Sequence, residues 1–173
     1  MKNEIVISTS PGRSEWVKHC LESINVPCLV VSGYGYELGK IKWVYENTNI
    51  DKFIFLQDSV VIRNNELLMS LFESEGSACL MCDPSHMGSY LGLYERKILD
   101  RIDIPIISKK SESISNEIEW TKRYIEACDH FSHPVDLKHE TIFTVMRNGR
   151  ENMLYVNDLY EKWKGDWGQI PHD

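Results

Sequence analysis

The first 60 residues alternate between short apolar runs and amphipathic stretches, and this alternation constrains the fold most. Three apolar runs, at residues 5–7, 28–32 and 53–57, have the β-branched and aromatic content of strands buried on both faces. Between them, residues 15–23 and 38–47 repeat apolar side chains at helical spacing. This order predicts parallel strands joined by right-handed crossovers. We therefore expect an α/β domain whose ligand lies at the carboxyl ends of the strands.

The rest of the chain has a less regular pattern. The predicted elements are, in order, a helix at 66–72, a strand at 78–82, a loop turning into a strand at 88–94, a polar loop at 108–115, a helix at 115–128, and a hairpin of strands at 141–146 and 153–156. Residues 157–173 are rich in Trp, Lys and Gly without core periodicity. The sequence thus predicts a single domain over 1–173, with 157–173 a tail that closes over the site.

Composition disfavours several classes of protein. Nineteen Lys and Arg face 26 Asp and Glu, and the net charge of −7 makes nucleic acid an unexpected partner. We see no secretory segment and no apolar run near the roughly 18 residues that span a bilayer, so we expect a cytoplasmic protein without a membrane span. Five cysteines, mostly within apolar runs, fit reduced thiols better than a disulfide framework.

Polar or glycine-rich residues follow all three early strands, at 8–10, 32–35 and 57–59. The carboxyl ends of parallel strands meet at one edge of a sheet, so we expect these residues to form a site. Asp58 follows a strongly apolar strand, where a carboxylate needs a cation or hydrogen-bond donors. A divalent metal that bridges a diphosphate is one such partner. Capping of the next turn by Asp58 is the alternative.

This pattern resembles the nucleotide-sugar-dependent glycosyltransferases of the A-type (GT-A) fold. The resemblance rests on the βαβαβ start, on the Gln57-Asp58-Ser59 motif after the third strand, and on the irregular second half. It implies a three-layer α/β sandwich with a mostly parallel central sheet. It also implies a hexosyltransferase that moves a sugar from a nucleotide-diphosphate sugar to a hydroxyl of an acceptor. We expect the donor to be a UDP-sugar. The sequence leaves open whether the acceptor is a glycan, a protein or a small molecule.

The resemblance also implies roles for individual residues. The family commonly holds Mn²⁺ or Mg²⁺ with an Asp-x-Asp motif, so Asp58 would be the metal ligand here and the tail's His172 the nearest second candidate. The candidate donor-binding residues are Ser8, Thr9, Ser10, Arg13, Tyr34 and Gln57, with Lys164, Gly165 and Trp167 closing over the diphosphate. Helix capping by the serines and an aromatic tail packed on the sheet are the alternatives.

An inverting transfer requires a carboxylate that takes the proton of the acceptor hydroxyl. The candidates are Asp83, Glu117 and Glu119. The two glutamates are favoured because they head the predicted helix, where the helix dipole stabilises an ionised acid. Asp83, at the end of the predicted strand 78–82, is the candidate for gripping the donor sugar or the acceptor.

Two other function classes remain open. A sugar nucleotidyltransferase shares the sheet topology but normally has a glycine-rich basic loop after the first strand, whereas this chain has one glycine, Gly12, and one arginine, Arg13, there. A non-catalytic nucleotide-sugar-binding module would agree with the single acid of the Gln57-Asp58-Ser59 motif. Release of UDP, release of pyrophosphate, and binding without turnover distinguish the three classes.

Overall fold

The computed structural model describes residues 1–33, 35–74, 91–130, 141–147 and 150–164. Its strands are β1 (Asn3–Thr9), β2 (Cys28–Ser32), β3 (Lys52–Gln57), β4 (Val60–Ile62), β5 (Leu91–Glu95), β6 (Thr141–Arg147), β7 (Arg150–Val156) and β8 (Tyr160–Lys164). Its helices are α1 (Ser14–Glu22), α2 (Tyr36–Asn47), α3 (Asn65–Ser70), α4 (Arg96–Leu99) and α5 (Lys110–Ala127), with a 3₁₀ turn at Leu71–Glu73. The predicted strand at 78–82 lies outside the described residues.

The first sheet has the strand order β2–β1–β3–β5 and is mostly parallel. Ile5 of β1 pairs in parallel with Cys28 on one side and with Ile54 on the other. Strand β5 pairs antiparallel with β3, placing Leu93 opposite Ile54. The chain leaves β1 for β2 on one side and then crosses to β3 on the other. The strand order therefore reverses between β1 and β3, where open α/β sheets form a crevice for ligands.

Both faces of this sheet are covered, which explains why β1 and β3 lack polar alternation. Ile5 and Ile7 face one core with α1 and α3, whereas Val6 faces a second core with α2 and α5. Strand β3 alternates in the same way, and its Phe53 and Phe55 enter the second core. The predicted α/β class and the buried runs at 5–7 and 53–57 are confirmed. The GT-A assignment stays a prediction.

An aromatic cluster fixes α5 on the sheet. The ring of Tyr94 on β5 lies 6.0 Å from Trp120 and 5.1 Å from Tyr124 between ring centroids. The Tyr124 hydroxyl also accepts a hydrogen bond from the backbone N–H of Glu95, at 2.9 Å. Because two aromatic side chains of α5 pack against one strand, the helix has a defined position on the sheet.

The second sheet is antiparallel, with the order β4–β8–β7–β6. The predicted hairpin is confirmed by the pairing of β6 with β7. The tail prediction is wrong over 160–164, because β8 is a strand between β4 and β7. Its buried Tyr160 and Lys162 alternate with the less buried Glu161 and Trp163. This alternation has the two-residue period of a strand.

Two smaller predictions are corrected. Strand β2 is not buried on both faces, because it lies at the edge of the sheet. The stretch 108–115 is not entirely a loop, because α5 begins at Lys110. None of the described helices has the length and apolarity to cross a membrane.

Candidate functional site

A cavity of about 600 Å³ opens at the carboxyl ends of β1 and β3, at the point where the strand order reverses. Its walls come from the segment after β1, from α2, from the end of β3 and from the first turns of α5. Seven residues singled out in the sequence line it together, namely Ser8, Thr9, Ser10, Arg13, Gln57, Asp58 and Glu117. The predicted convergence of strand ends therefore occurs for β1 and β3.

Asp58 is buried at the floor of this cavity and accepts hydrogen bonds on both carboxylate oxygens. Arg13 donates from Nε to Oδ2 at 2.7 Å and from Nη2 to Oδ1 at 2.6 Å. The Thr9 hydroxyl donates to Oδ2 at 2.8 Å. The backbone N–H of Asp58 donates to Ser8 O at 3.0 Å, which continues the pairing of β1 with β3 to this residue. Such paired hydrogen bonds are the strongest form of an arginine–carboxylate contact.

Lys162 of β8 lies beneath the Gln57-Asp58-Ser59 motif and is fully buried. Its ammonium donates to Gln57 Oε1 at 2.6 Å and to the Ser59 hydroxyl. The Gln57 amide in turn donates to Glu37 Oε1 at 2.7 Å. This network fixes both neighbours of Asp58. The sequence analysis missed Lys162, which lies on the buried side of β8, two residues after Tyr160, within the predicted tail.

Lys40 is a second buried lysine and lines the cavity directly, with 4% of the residue exposed. It lies on α2, which follows Gly35, a residue with φ +94°. Its ammonium is 3.4 Å from the Ser10 hydroxyl. Burial lowers the pKa of Lys40, whereas the carboxylates of Glu37 and Asp58 raise it. The sequence signal was its place one helical turn before the core residue Val44.

One face of α5 forms a wall of the cavity. The lining side chains are Lys110, Ser113, Ile114 and Glu117, which follow the spacing of a single helical face. Glu119, two residues further along, does not line the cavity. Its side chain is 64% exposed and pairs with Arg123. The structure therefore brings Glu117 to the site and leaves Glu119 on another side of the helix.

The described residues around Asp58 do not fit a divalent cation. Mg²⁺ and Mn²⁺ take several oxygen ligands, with carboxylates prominent among them. Here both oxygens of Asp58 accept from Arg13, and Lys40 and Lys162 add positive charge nearby. In the described part of the chain, no group of three or more His, Cys, Asp or Glu is placed to hold a metal.

Several predicted site residues cannot be placed. Tyr34, Asp83, Gly165, Trp167 and His172 lie outside the described residues. Lys164 is the last residue of β8, and the structure describes only its backbone. The roles assigned to these residues, including His172 as a metal ligand and the tail as a cover, stay predictions.

Comparisons with known proteins identify no family. No family model matches the chain, and no curated protein matches it. Among solved structures, A197 from STIV is 11% identical over 99% of both chains, with a TM-score of 0.49. The glycosyltransferase GlyE of Streptococcus pneumoniae TIGR4 is 14% identical over 70% of this chain and 39% of its own, with a TM-score of 0.43. The apo form of the same enzyme is 12% identical over 72% of this chain and 44% of its own, with a TM-score of 0.44. The chain is thus only distantly similar in structure to a glycosyltransferase.

Proposed function

We propose that this protein is a glycosyltransferase that binds the diphosphate of a nucleotide sugar in the β1–β3 cavity. One observation supports this most strongly. At the reversal of strand order, the cavity combines two cationic side chains, Arg13 and Lys40, with a carboxylate on the facing helix, Glu117. Cations suit a diphosphate, and a separate carboxylate suits an acceptor hydroxyl.

The donor is held from the side of β1 and α2. Guanidinium and ammonium groups bind phosphate oxygens, and hydroxyls such as that of Ser10 add hydrogen bonds. Asp58 contributes indirectly, because its carboxylate fixes the guanidinium of Arg13 at the cavity wall. The nucleoside is expected beside Ser8, Thr9 and Ser10, and UDP-sugars are the first donors to test.

The transfer step uses Glu117 as the base. The acceptor oxygen forms a bond to the anomeric carbon as the bond from that carbon to the diphosphate oxygen breaks. The bonding electron pair leaves with the diphosphate, and Glu117 takes the proton of the acceptor hydroxyl. Arg13 and Lys40 stabilise the negative charge that develops on the leaving group, an electrostatic contribution that lowers the barrier.

A blocked cavity tests this proposal. Ile114 lines the cavity and is 57% exposed, so Ile114→Trp fills space there without disturbing the core. Ser115→Trp, at the next and also exposed position of α5, is the matched control because Ser115 does not line the cavity. Release of nucleoside diphosphate is measured from UDP-, GDP-, CDP- and ADP-sugars with a panel of sugar and hydroxyl-peptide acceptors.

We expect release with one donor class in the native protein and in Ser115→Trp, and a loss of at least tenfold in Ile114→Trp. Equal release in both variants would contradict the cavity as the site. Pyrophosphate formation from a nucleoside triphosphate and a sugar phosphate would instead identify a nucleotidyltransferase. Donor binding without any release would identify a binding module.

A further inference from the structure

We propose that cationic side chains of this chain, Arg13 and Lys40, hold the donor diphosphate without a divalent cation. The inference rests on the proposed function and concerns the same cavity. The GT-A resemblance implies a metal ion at the diphosphate. Here the guanidinium of Arg13 and the ammonium of Lys40 take the place of that ion.

The contacts of Asp58 disfavour a metal ion. A carboxylate that coordinates a metal offers its oxygen lone pairs to the ion. Both oxygens of Asp58 instead accept hydrogen bonds from Arg13, and one also accepts from Thr9. A metal would have to displace the guanidinium from a carboxylate whose side chain is only 5% exposed. The pair is therefore built as an arginine site held in place by an aspartate.

The local charge of the cavity is positive. Although the whole chain carries a net charge of −7, cations outnumber carboxylates among the described residues at the cavity and directly beneath it. The cations are Arg13, Lys40, Lys110 and Lys162, and the carboxylates are Glu37, Asp58 and Glu117. The surplus is one positive charge, and the carboxylate of Asp58 is already paired with Arg13. This balance disfavours an added dication and favours a diphosphate.

Lys40 is buried at the cavity wall. Removing an ammonium group from water is costly unless other charges or hydrogen bonds compensate. Its contact with the Ser10 hydroxyl is long, at 3.4 Å, and the ammonium borders an open cavity. A phosphate oxygen in that cavity would supply a short charge-assisted hydrogen bond. Lys40 is thus placed where an anionic ligand gains from its charge.

The test is the binding of UDP to the full chain, measured by isothermal titration calorimetry in excess EDTA and again in Mn²⁺. GDP, CDP and ADP are titrated in parallel, so that a different nucleotide preference is found. We expect the preferred nucleotide to bind in EDTA with a Kd within about threefold of its value in Mn²⁺. Lys40→Met should weaken that binding by about tenfold, the loss expected for one charge-assisted contact. Lys18→Met, which removes the same charge from an exposed position paired with Glu22, is the control and should bind as the native protein does.

Each outcome decides one point. Binding that vanishes in EDTA and returns with Mn²⁺ would overturn the metal-free site and leave the proposed function standing. Undiminished binding by a folded Lys40→Met variant would overturn the role of Lys40. Failure of all four nucleotides to bind under either condition would overturn the proposed function and this inference together. The EDTA comparison uses the native protein, so it decides the metal question even if Lys40→Met does not fold.

Discussion

Arg13 and Asp58 form a two-point contact that joins the residue before α1 to the residue after β3, across the point where the strand order reverses. The two N···O distances are 2.7 and 2.6 Å, and the side chains are 16% and 5% exposed. The contact fixes one wall of the cavity to its floor. Asp58 therefore acts as a positioning residue for Arg13.

Breaking this pair should lower stability and activity together. Arg13→Met and Asp58→Asn should each lower the free energy of unfolding by about 1–3 kcal/mol, because each leaves the other partner without its counter-charge. Either change should also reduce release of nucleoside diphosphate at least tenfold. Urea unfolding measures the first effect, and the double variant completes a cycle. Additive losses in stability would contradict the coupling.

The two glutamates of α5 should differ in their effect on activity. Glu117→Gln should reduce release of nucleoside diphosphate by at least about a hundredfold, the usual contribution of a general base, with donor binding unchanged. Glu119→Gln should behave as the native protein, because its side chain pairs with Arg123 outside the cavity. Steady-state rates and calorimetric affinities of both variants check this. Loss of activity in Glu119→Gln alone would reverse the assignment.

The thiols of Cys20 and Cys28 should react slowly in the folded protein. Burial raises the pKa of Cys28 to about 11 and also raises the pKa of Cys20, to which the carboxylate of Asp58 adds. A thiol with a pKa of about 11 has roughly one thousandth of its population as thiolate at pH 8, against about a quarter for a free cysteine.

Iodoacetamide labelling at pH 8, resolved by peptide mass spectrometry, measures this reactivity. We expect both thiols to be labelled far more slowly in the folded protein than after urea unfolds the chain. The raised values also predict that stability falls as the pH rises above the unfolded thiol pKa of about 8.5, because the unfolded chain ionises first. Rapid labelling of Cys20 in the native protein would contradict its burial.

Arg96 should be a stability residue remote from the site. Its guanidinium donates to the backbone oxygens of Ile50, Tyr45 and Thr48 at 2.9, 2.9 and 2.7 Å, which anchors the end of α2 beside β3. Arg96→Lys should cost about 2–3 kcal/mol, because one ammonium cannot reproduce this fork of donors. Urea unfolding of the variant tests this, and the nucleotide affinity should remain unchanged. A cost below 0.5 kcal/mol, the range of ordinary surface substitutions, would contradict the role.

The sequence predicted the elements that have a clear apolar pattern. Strands β1 and β3 were predicted from continuous apolar runs, because both faces of each strand are buried. Helix α2 was predicted from its apolar spacing, because Leu38, Ile41 and Val44 share one face. The start of α5 was missed because its first turns line a cavity rather than a core, so Lys110 and Ser113 lack apolar periodicity.

Part of the site could be predicted because its residues follow predicted strands. Asp58 and Arg13 follow strands, where the sequence alone places polar residues at a sheet edge. Lys40 and Lys162 were missed because each is a charged residue within an element, and their burial depends on packing between elements. Gln57 and Ser59, the partners of Lys162, are 105 and 103 residues away in sequence. Local sequence patterns do not indicate contacts at this separation.

A crystal structure of the protein with the nucleoside diphosphate that binds it best tests the proposed site most directly. We predict diphosphate oxygens within hydrogen-bond distance of Lys40 Nζ and of the Arg13 guanidinium, at the carboxyl ends of β1 and β3, with Glu117 facing them across the cavity. A diphosphate bound away from this edge of the sheet would contradict the proposed site.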